Sequence, residues 1–209
     1  MRIDGLKNSP DRAGRYWVTF DDGTRIGLYR QTVEDFGLYI GKDLTETEKE
    51  QLLIAAGKMS VKMRAVRIVS ASSVSKRDLQ ERLVRKGEDP EQAREAVQWM
   101  EDLHLVDDRN TAEQIVHSCI SKGYGLQRAK QVLYEKRIPK QYWEEALADY
   151  PDQTDRIETF LRSRLDADSD QKQIKKVIDA LIRRGHSYSV IRRVLSDLSF
   201  DSDDLIEDF

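Results

Sequence analysis

Only one cysteine, Cys119, and three histidines, His104, His117 and His186, occur in 209 residues. A single thiol forms no internal disulfide, and one Cys with three scattered His is too little for a clustered metal site. No metal and no cofactor are expected. Glycine (11) and proline (4) are scarce, together about 7% of the chain against roughly 12% in an average one. Long apolar runs are missing too. The longest, Leu52 to Gly57, falls far short of the ~20 residues of a transmembrane helix. The opening residues MRIDGLKNSPDR contain no apolar stretch of the secretory kind. These absences point to a reducing cytoplasm and to no membrane.

What the chain has in abundance is charge, 35% of its residues against roughly 25% on average. The 35 basic and 38 acidic side chains nearly cancel, giving −3, and the hydrophobic fraction is 39%. Many charges with few turn residues describe a helical protein with large solvated faces.

The first thirty residues are built differently. Arg15 to Phe20 and Arg25 to Tyr29 are rich in aromatic and β-branched residues, with Asp21-Asp22-Gly23-Thr24 between them. An Asp-Gly pair between two such runs predicts a β-hairpin, because glycine accepts the positive φ of a tight turn. A lone hairpin is marginal in water and needs a neighbouring helix or a partner to lean on. A short helix is expected from Thr32 to Phe36, ended at Gly37. Thr45-Glu46-Thr47-Glu48 reads as a capping box, opening a helix that runs towards Ala56.

Beyond Ala56 the chain repeats. Three stretches superpose without a gap: SKRDLQERLVRKGEDPEQAREAVQWM from Ser75, GLQRAKQVLYEKRIPKQYWEEALADY from Gly125, and QIKKVIDALIRRGHSYSVIRRVLSDL from Gln173. Leu79 and Leu83 in the first correspond to Ala129 and Leu133 in the second and to Val177 and Leu181 in the third. Ala93, Val97 and Met100 correspond to Trp143, Leu147 and Tyr150, and to Ile191, Leu195 and Leu198. This spacing lays one apolar stripe on each of two successive helices. Lys86, Lys136 and Arg184 stand at the last helical position, where a cation meets the negative end of the helix dipole. Gly87 and Gly185 follow them, Arg137 being the exception. Asp89-Pro90 and Ile138-Pro139 restart the chain, with proline in the first turn, where its missing N–H costs nothing.

A further striped helix precedes each pair: Lys58 to Val69, Asp108 to Ile120 and Asp155 to Leu165. Each unit is therefore a three-helix bundle of about 45–50 residues, longer than the ~34-residue tetratricopeptide or ~33-residue ankyrin period. The fold expected is mainly α: a tandem array of three three-helix units, preceded by a small N-terminal β-hairpin and short helices. The corresponding segments are 1–56 for the hairpin region, 57–107, 108–151 and 152–200 for the trihelical repeats, and 201–209 for an acidic tail.

No constellation of catalytic residues emerges. Gly57-Lys58 ends like a phosphate-binding loop, but Met59 stands where a Mg²⁺-binding hydroxyl is needed and Leu52 replaces the leading glycine. Gly123-Tyr124-Gly125 opens like a dinucleotide fingerprint, but Arg128 holds the place of the third glycine and no strand precedes it. Cys119 reads as a small packing residue. Asp107-Asp108 reads as an N-cap before Arg109, not as paired carboxylates. A non-enzyme is expected.

Leu105-Val106-Asp107-Asp108-Arg109 with Ala112 following, the ends Lys86-Gly87 and Lys136-Arg137-Ile138, and the closing RRGHSYSVIRRVL from Arg183 to Leu195 resemble the RecX family of bacterial recombination regulators. The order of hairpin, glycine-marked helix and three trihelical units is also the family's, over nearly the whole chain. Arg137 stands where the family mostly has glycine, and His186 where it has an aromatic. The resemblance implies a non-catalytic monomer that binds RecA and its filament on single-stranded DNA. It would restrain the ATPase, strand-exchange and coprotease activities of RecA, and with them the SOS response.

Charge locates a candidate surface. From Gln171 to Arg193 the cations are Lys172, Lys175, Lys176, Arg183, Arg184, Arg192 and Arg193, against Asp179 alone. The tail from Asp197 to Phe209 carries six acids and no base. Such a block fits DNA phosphates, at least weakly and without sequence preference, or an acidic partner. A second group comprises Lys62, Arg64 and Arg67, then Lys76, Arg77, Arg82, Arg85 and Lys86; of these Arg82, Arg85 and Lys86 are the further partner-binding candidates. The alternatives are a helical-repeat adaptor and a helix-turn-helix DNA reader. For the reader, the third helices would enter the groove with Glu88, Asp89 and Glu91, with Pro139, Lys140 and Gln141, or with Ser187, Tyr188 and Ser189. The first set repels phosphate, and none carries an Arg or Asn pattern suited to base edges.

Overall fold

The computed structural model describes residues 1–10, 14–166 and 168–198. The acidic tail at 201–209 and the last two residues assigned above to the third repeat lie outside the described residues.

The expected hairpin is present, as β2 (Arg15–Phe20) and β3 (Arg25–Tyr29). Its corner is built as the sequence requires. Gly23 has φ +81, and Asp22 Oδ1 accepts both the backbone N–H (2.8 Å) and the hydroxyl (2.6 Å) of Thr24. A third strand absent from the sequence reading, β1 (Ile3–Asn8), pairs antiparallel with β2, making a sheet of order β1-β2-β3. A register shift between Ile3 and Gly5 breaks the alternation of β1, which is why its pattern gives no strand signal. One face of this sheet buries Ile3, Val18, Phe20 and Leu28 against Val33 of α1 (Arg30–Asp35), Leu38, Leu44 and Leu52. The hairpin thus finds the support that a lone one lacks.

Leu52 belongs to α2 (Glu46–Ala71), whose capping box at Thr45 and Glu48 is formed in both directions. The helix runs unbroken for 26 residues, through the boundary placed at 56/57 from the sequence. Gly57 does not end it, since a single glycine costs only about 1 kcal/mol relative to alanine and both flanks are anchored. Leu52 packs into the sheet core, while Val61 and Ala65 pack into the next one. That next core joins α2 to α3 (Lys76–Arg85) and α4 (Pro90–Asp102) through Leu79, Leu83, Ala93, Ala96, Val97 and Met100. Residues 1–106 form one compact unit and residues from 107 onward another.

The second unit contains two more bundles. In the first, α5 (Asp108–Ser121) and α6 (Leu126–Glu135) enclose Ala112, Val116, Ala129 and Leu133. A 3-10 turn at Lys140–Tyr142 and the five-residue α7 (Trp143–Leu147) close it. In the second, α8 (Thr154–Arg162), α9 (Gln171–Arg183) and α10 (Tyr188–Asp197) enclose Ile157, Leu161, Ile178, Leu181, Ile191 and Leu195. Repeated three-helix units behind a small β element are therefore the architecture.

One corner recurs. After Lys86, Lys136 and Arg184 the next residue adopts a left-handed conformation: Gly87 at φ +87, Arg137 at +59 and Gly185 at +82. The following N–H returns to the carbonyl of a buried leucine, Glu88 to Leu83 O (3.2 Å), Ile138 to Leu133 O (3.0 Å) and His186 to Leu181 O (3.1 Å). This is the Schellman arrangement, which satisfies carbonyls left over at a helix end. His104 (φ +55) makes the same corner after α4.

Gly57 is exposed, and a Cβ placed on it meets nothing within 4 Å. Gly57→Ala should therefore stabilise the protein by about 1 kcal/mol, read as an increase in the urea midpoint.

Candidate interaction surfaces

The seven cations of the third bundle divide into three groups. Lys172, Lys175, Lys176 and Arg183 follow helical spacing along α9, so they share one face. Lys172, Lys176 and Arg183 are exposed, and Lys175 is half-buried. Asp179 lies on the same stripe. Arg184 turns away from it: its guanidinium stands 4.9 Å from the centre of the Phe160 ring, which Arg164 also approaches at 5.6 Å. Arg192 and Arg193 are exposed on α10, and Arg193 Nη2 donates to Thr154 Oγ1 of α8 at 3.3 Å.

In the first unit, Arg82 and Lys86 meet Arg64 and Arg67 around a groove of about 620 Å³ between α2 and α3. Arg64 and Arg67 were absent from the partner-binding set proposed from sequence. Much of this charge is already engaged. Arg64 pairs with Glu88 at 2.8 Å and donates to Lys86 O at 3.1 Å, capping α3. Arg82 pairs with Asp78, its Nη2 at 2.9 Å and Nε at 3.0 Å. Arg85 lies along its own helix, with Nε 3.4 Å from Glu81 O.

The same device recurs in the second unit. Arg156 Nη1 donates to Ile120 O at 2.6 Å, at the end of α5. With Lys122 and Arg184 it lines a hollow of about 390 Å³. A cation at a helix C-terminus is favourable by about 0.3–1 kcal/mol. Neither Lys122 nor Arg156 was singled out from sequence. Arg156 sits among Asp155 and Glu158, and only the tertiary fold brings it to α5.

The groove-facing ends required by a helix-turn-helix reader are poorly suited to that role. Glu88 is tied to Arg64, Asp89 is the N-cap of α4, and the second unit's third helix is only α7 behind a 3-10 turn.

Between the two bundles of the second unit, backbone meets backbone. The N–H of Gly125, N-cap of α6, donates to Arg184 O at 2.8 Å, and that of Gln127 to Gly185 O at 3.3 Å. Orphan donors at the start of α6 are thus satisfied by orphan acceptors just past α9. Ser75 performs this task for α3 with its side chain, bonded to Asp78 N at 3.1 Å. His186, 8% exposed, is held with Nε2 3.1 Å from Gly123 O. A carbonyl only accepts, so the proton is on Nε2. Tyr150 donates its hydroxyl to Tyr124 O at 2.6 Å, and burial pushes its pKa up to about 12. Cys119 is buried, and burial raises its thiol pKa, the opposite of what an activated nucleophile needs. Among the described residues no group of three or more His, Cys, Asp and Glu is placed to hold a metal ion, and no helix is long and apolar enough to cross a membrane.

Two predictions test this junction. A Cβ on Gly125 would stand 2.1 Å from Gly185 O, a backbone atom with nowhere to move. Gly125→Ala should cost about 2 kcal/mol or more, the reverse of the gain at Gly57, in urea unfolding of the full chain. The second concerns pH. Burial lowers the His186 pKa, Arg184 lowers it further, and the bond to Gly123 opposes both only in part. The unfolded chain, titrating near about 6.5, takes up the proton first. Stability is therefore complete above that value and is lost as pH falls through the folded one. His186→Gln should flatten the decline in unfolding free energy as pH falls below about 6.5.

Comparison with known proteins follows the same units. A family model described as "RecX, second three-helix domain" matches residues 107–147, and one described as "RecX, third three-helix domain" matches residues 158–195. The chain is 26% identical to the regulatory protein RecX of Clostridioides difficile over 211 residues, covering 98% of each. It is 31% identical to that of Chlorobaculum tepidum over 156 residues, covering 71% of this chain and 96% of the relative. A crystal structure of a regulatory protein RecX aligns with a TM-score of 0.66 over 93% of this chain and 98% of its own, at 20% identity. That of RecX from Lactobacillus salivarius aligns with a TM-score of 0.59 over 69% of this chain and 98% of its own, at 22% identity. The structural likenesses are of fold.

Proposed function

This chain belongs to the RecX family of regulatory proteins, and from that premise we propose that it binds the RecA recombinase on single-stranded DNA and restrains its ATPase, strand-exchange and coprotease activities. One observation carries the reading: the colinear match to a regulatory RecX over 98% of both chains. The α9 stripe of Lys172, Lys175, Lys176 and Arg183 is the surface assigned to this contact. Its supporting feature is orientation. Lys172, Lys176 and Arg183 are exposed along one helix face, whereas Arg64, Arg82 and Arg156 are committed to partners within their own units. Long-range attraction between such a stripe and a polyanionic filament raises the rate of encounter and weakens with salt.

Titrating the purified protein into RecA on single-stranded DNA should slow ATP hydrolysis at substoichiometric ratios. An unaltered rate at equimolar protein would sink the proposal. Reversing Lys172, Lys175 and Lys176 to Glu should weaken the inhibition at least tenfold and flatten its salt dependence. Unchanged inhibition and slope would remove α9 from the contact and leave the regulatory role standing.

A further inference from the structure

The outer face of the N-terminal sheet presents a different chemistry from either basic surface. With Val18 and Phe20 turned to the core, Arg15, Trp17 and Thr19 of β2 face outward, as alternation requires. Arg15 is opposite Tyr29, Trp17 is opposite Gly27 on one side and Lys7 on the other. Gly27 is needed here. A Cβ on it would stand 3.3 Å from Cζ3 of the indole, so the glycine lets Trp17 lie flat across the sheet. Arg25 then covers the indole, its guanidinium carbon 4.3 Å from the ring centre, and Arg15 covers Tyr29 at 4.5 Å.

The result is two aromatic–guanidinium stacks side by side. A guanidinium stacked by its face keeps its N–H edge available for bidentate bonds to an anion. Among the described residues no carboxylate is paired with Lys7, Arg15 or Arg25, and because Arg15 Nε is buried, Arg15 meets an anion through its terminal nitrogens alone. Beside the stacks lies a hollow of about 350 Å³, whose one acidic lining residue, Asp4, is held by Arg2 Nε at 3.1 Å.

We propose that this face binds single-stranded nucleic acid. Phosphates take the edges of Arg15 and Arg25 and the ammonium of Lys7, and a base stacks on the open side of the Arg25 guanidinium, which the indole of Trp17 backs. Charge complementarity alone admits any polyanion. The flat cationic planes favour one that also carries flat π-faces, because bases stack on aromatic and guanidinium planes alike. A duplex keeps its bases stacked on one another and leaves those planes unused. The sheet lies outside the residues matched by the two family models. The inference therefore deepens the reading above without depending on it.

Fluorescence anisotropy of a labelled oligothymidylate, with the full-length protein and no RecA, tests the assignment. Arg15→Gln/Arg25→Gln should weaken binding at least tenfold and reduce the salt slope. Trp17→Leu should weaken it about tenfold with the slope unchanged, and Trp17→Phe should restore most of the loss, with urea midpoints confirming that each variant is folded. The proposal fails if the variants bind as the parent does. It also fails if a duplex binds equally well and is indifferent to Trp17→Leu, or if polyglutamate displaces the oligonucleotide at equal charge, which marks an acidic protein partner. Oligonucleotide binding through Trp17 by a protein that leaves the RecA ATPase untouched would overturn the regulatory reading and uphold this one.

Discussion

Each three-helix unit turns on one backbone hydrogen bond, from the residue after a left-handed corner to the carbonyl of a buried leucine. Leu83, Leu133 and Leu181 all supply that carbonyl, and all are at most 1% exposed. Their side chains fix the core and their carbonyls fix the exit of the chain, so packing and direction are set at a single residue. In the third bundle the corner does more. Past the bond between His186 and Leu181, the carbonyls of Arg184 and Gly185 point at the start of α6, where they replace a capping side chain. The imidazole of His186 is thereby placed over Gly123. Helix termination, the joint between two bundles and a pH-sensitive contact are consequences of the same turn. Arg137 shows that the turn is obligatory, since an L-residue accepts φ +59 there at a cost of about 1 kcal/mol.

The cations obey a division of labour that net charge hides. Arg64 and Arg156 reach the carbonyls at the ends of α3 and α5, and Arg82 is held bidentately by Asp78. Such groups stabilise the fold modestly, exposed ion pairs contributing about 0–1 kcal/mol each, and they are poor candidates for a partner because binding would have to break what they already make. Lys172, Lys176 and Arg183 project from α9 into solvent instead. A sum of −3 over the whole chain says nothing about either group.

The sequence made the bundles legible because each is local. Helix periodicity, the capping box at Thr45, the N-caps Asp89 and Asp107, and the glycine corners are written within a few residues of one another. What it concealed is non-local or carried by the backbone. β1 is irregular between Ile3 and Gly5 where it pairs with β2, so its own residues do not alternate. The joint at Gly125 leaves no side-chain signature beyond a glycine where Ser75 caps the equivalent helix. The stacks on the sheet need register: Arg15 meets Tyr29, and Trp17 meets Gly27, only once β2 and β3 are paired. Arg64 and Arg67 were visible as charges but not as neighbours of Arg82 and Lys86, because that neighbourhood depends on α2 crossing α3.

Gly57 shows how a local signal can mislead and what overrides it. A glycine beside a short apolar run invites a domain boundary, yet α2 continues because it is bound at two places. Leu52 is fully buried in the sheet core, and Val61, nine residues on, is 1% exposed in the bundle core. At 1.5 Å per residue that separation is about 13 Å of rigid rod. The glycine falls in the gap, where neither core reaches and no side chain is needed. A flexible joint there would leave the three-stranded sheet on a tether. A continuous helix makes it part of the first unit, so the aromatic–guanidinium stacks and the groove between α2 and α3 are held in fixed relation by α2. The sheet packs on the start of the helix that continues into the bundle, and it adds a flat, cationic face that three helices alone do not provide.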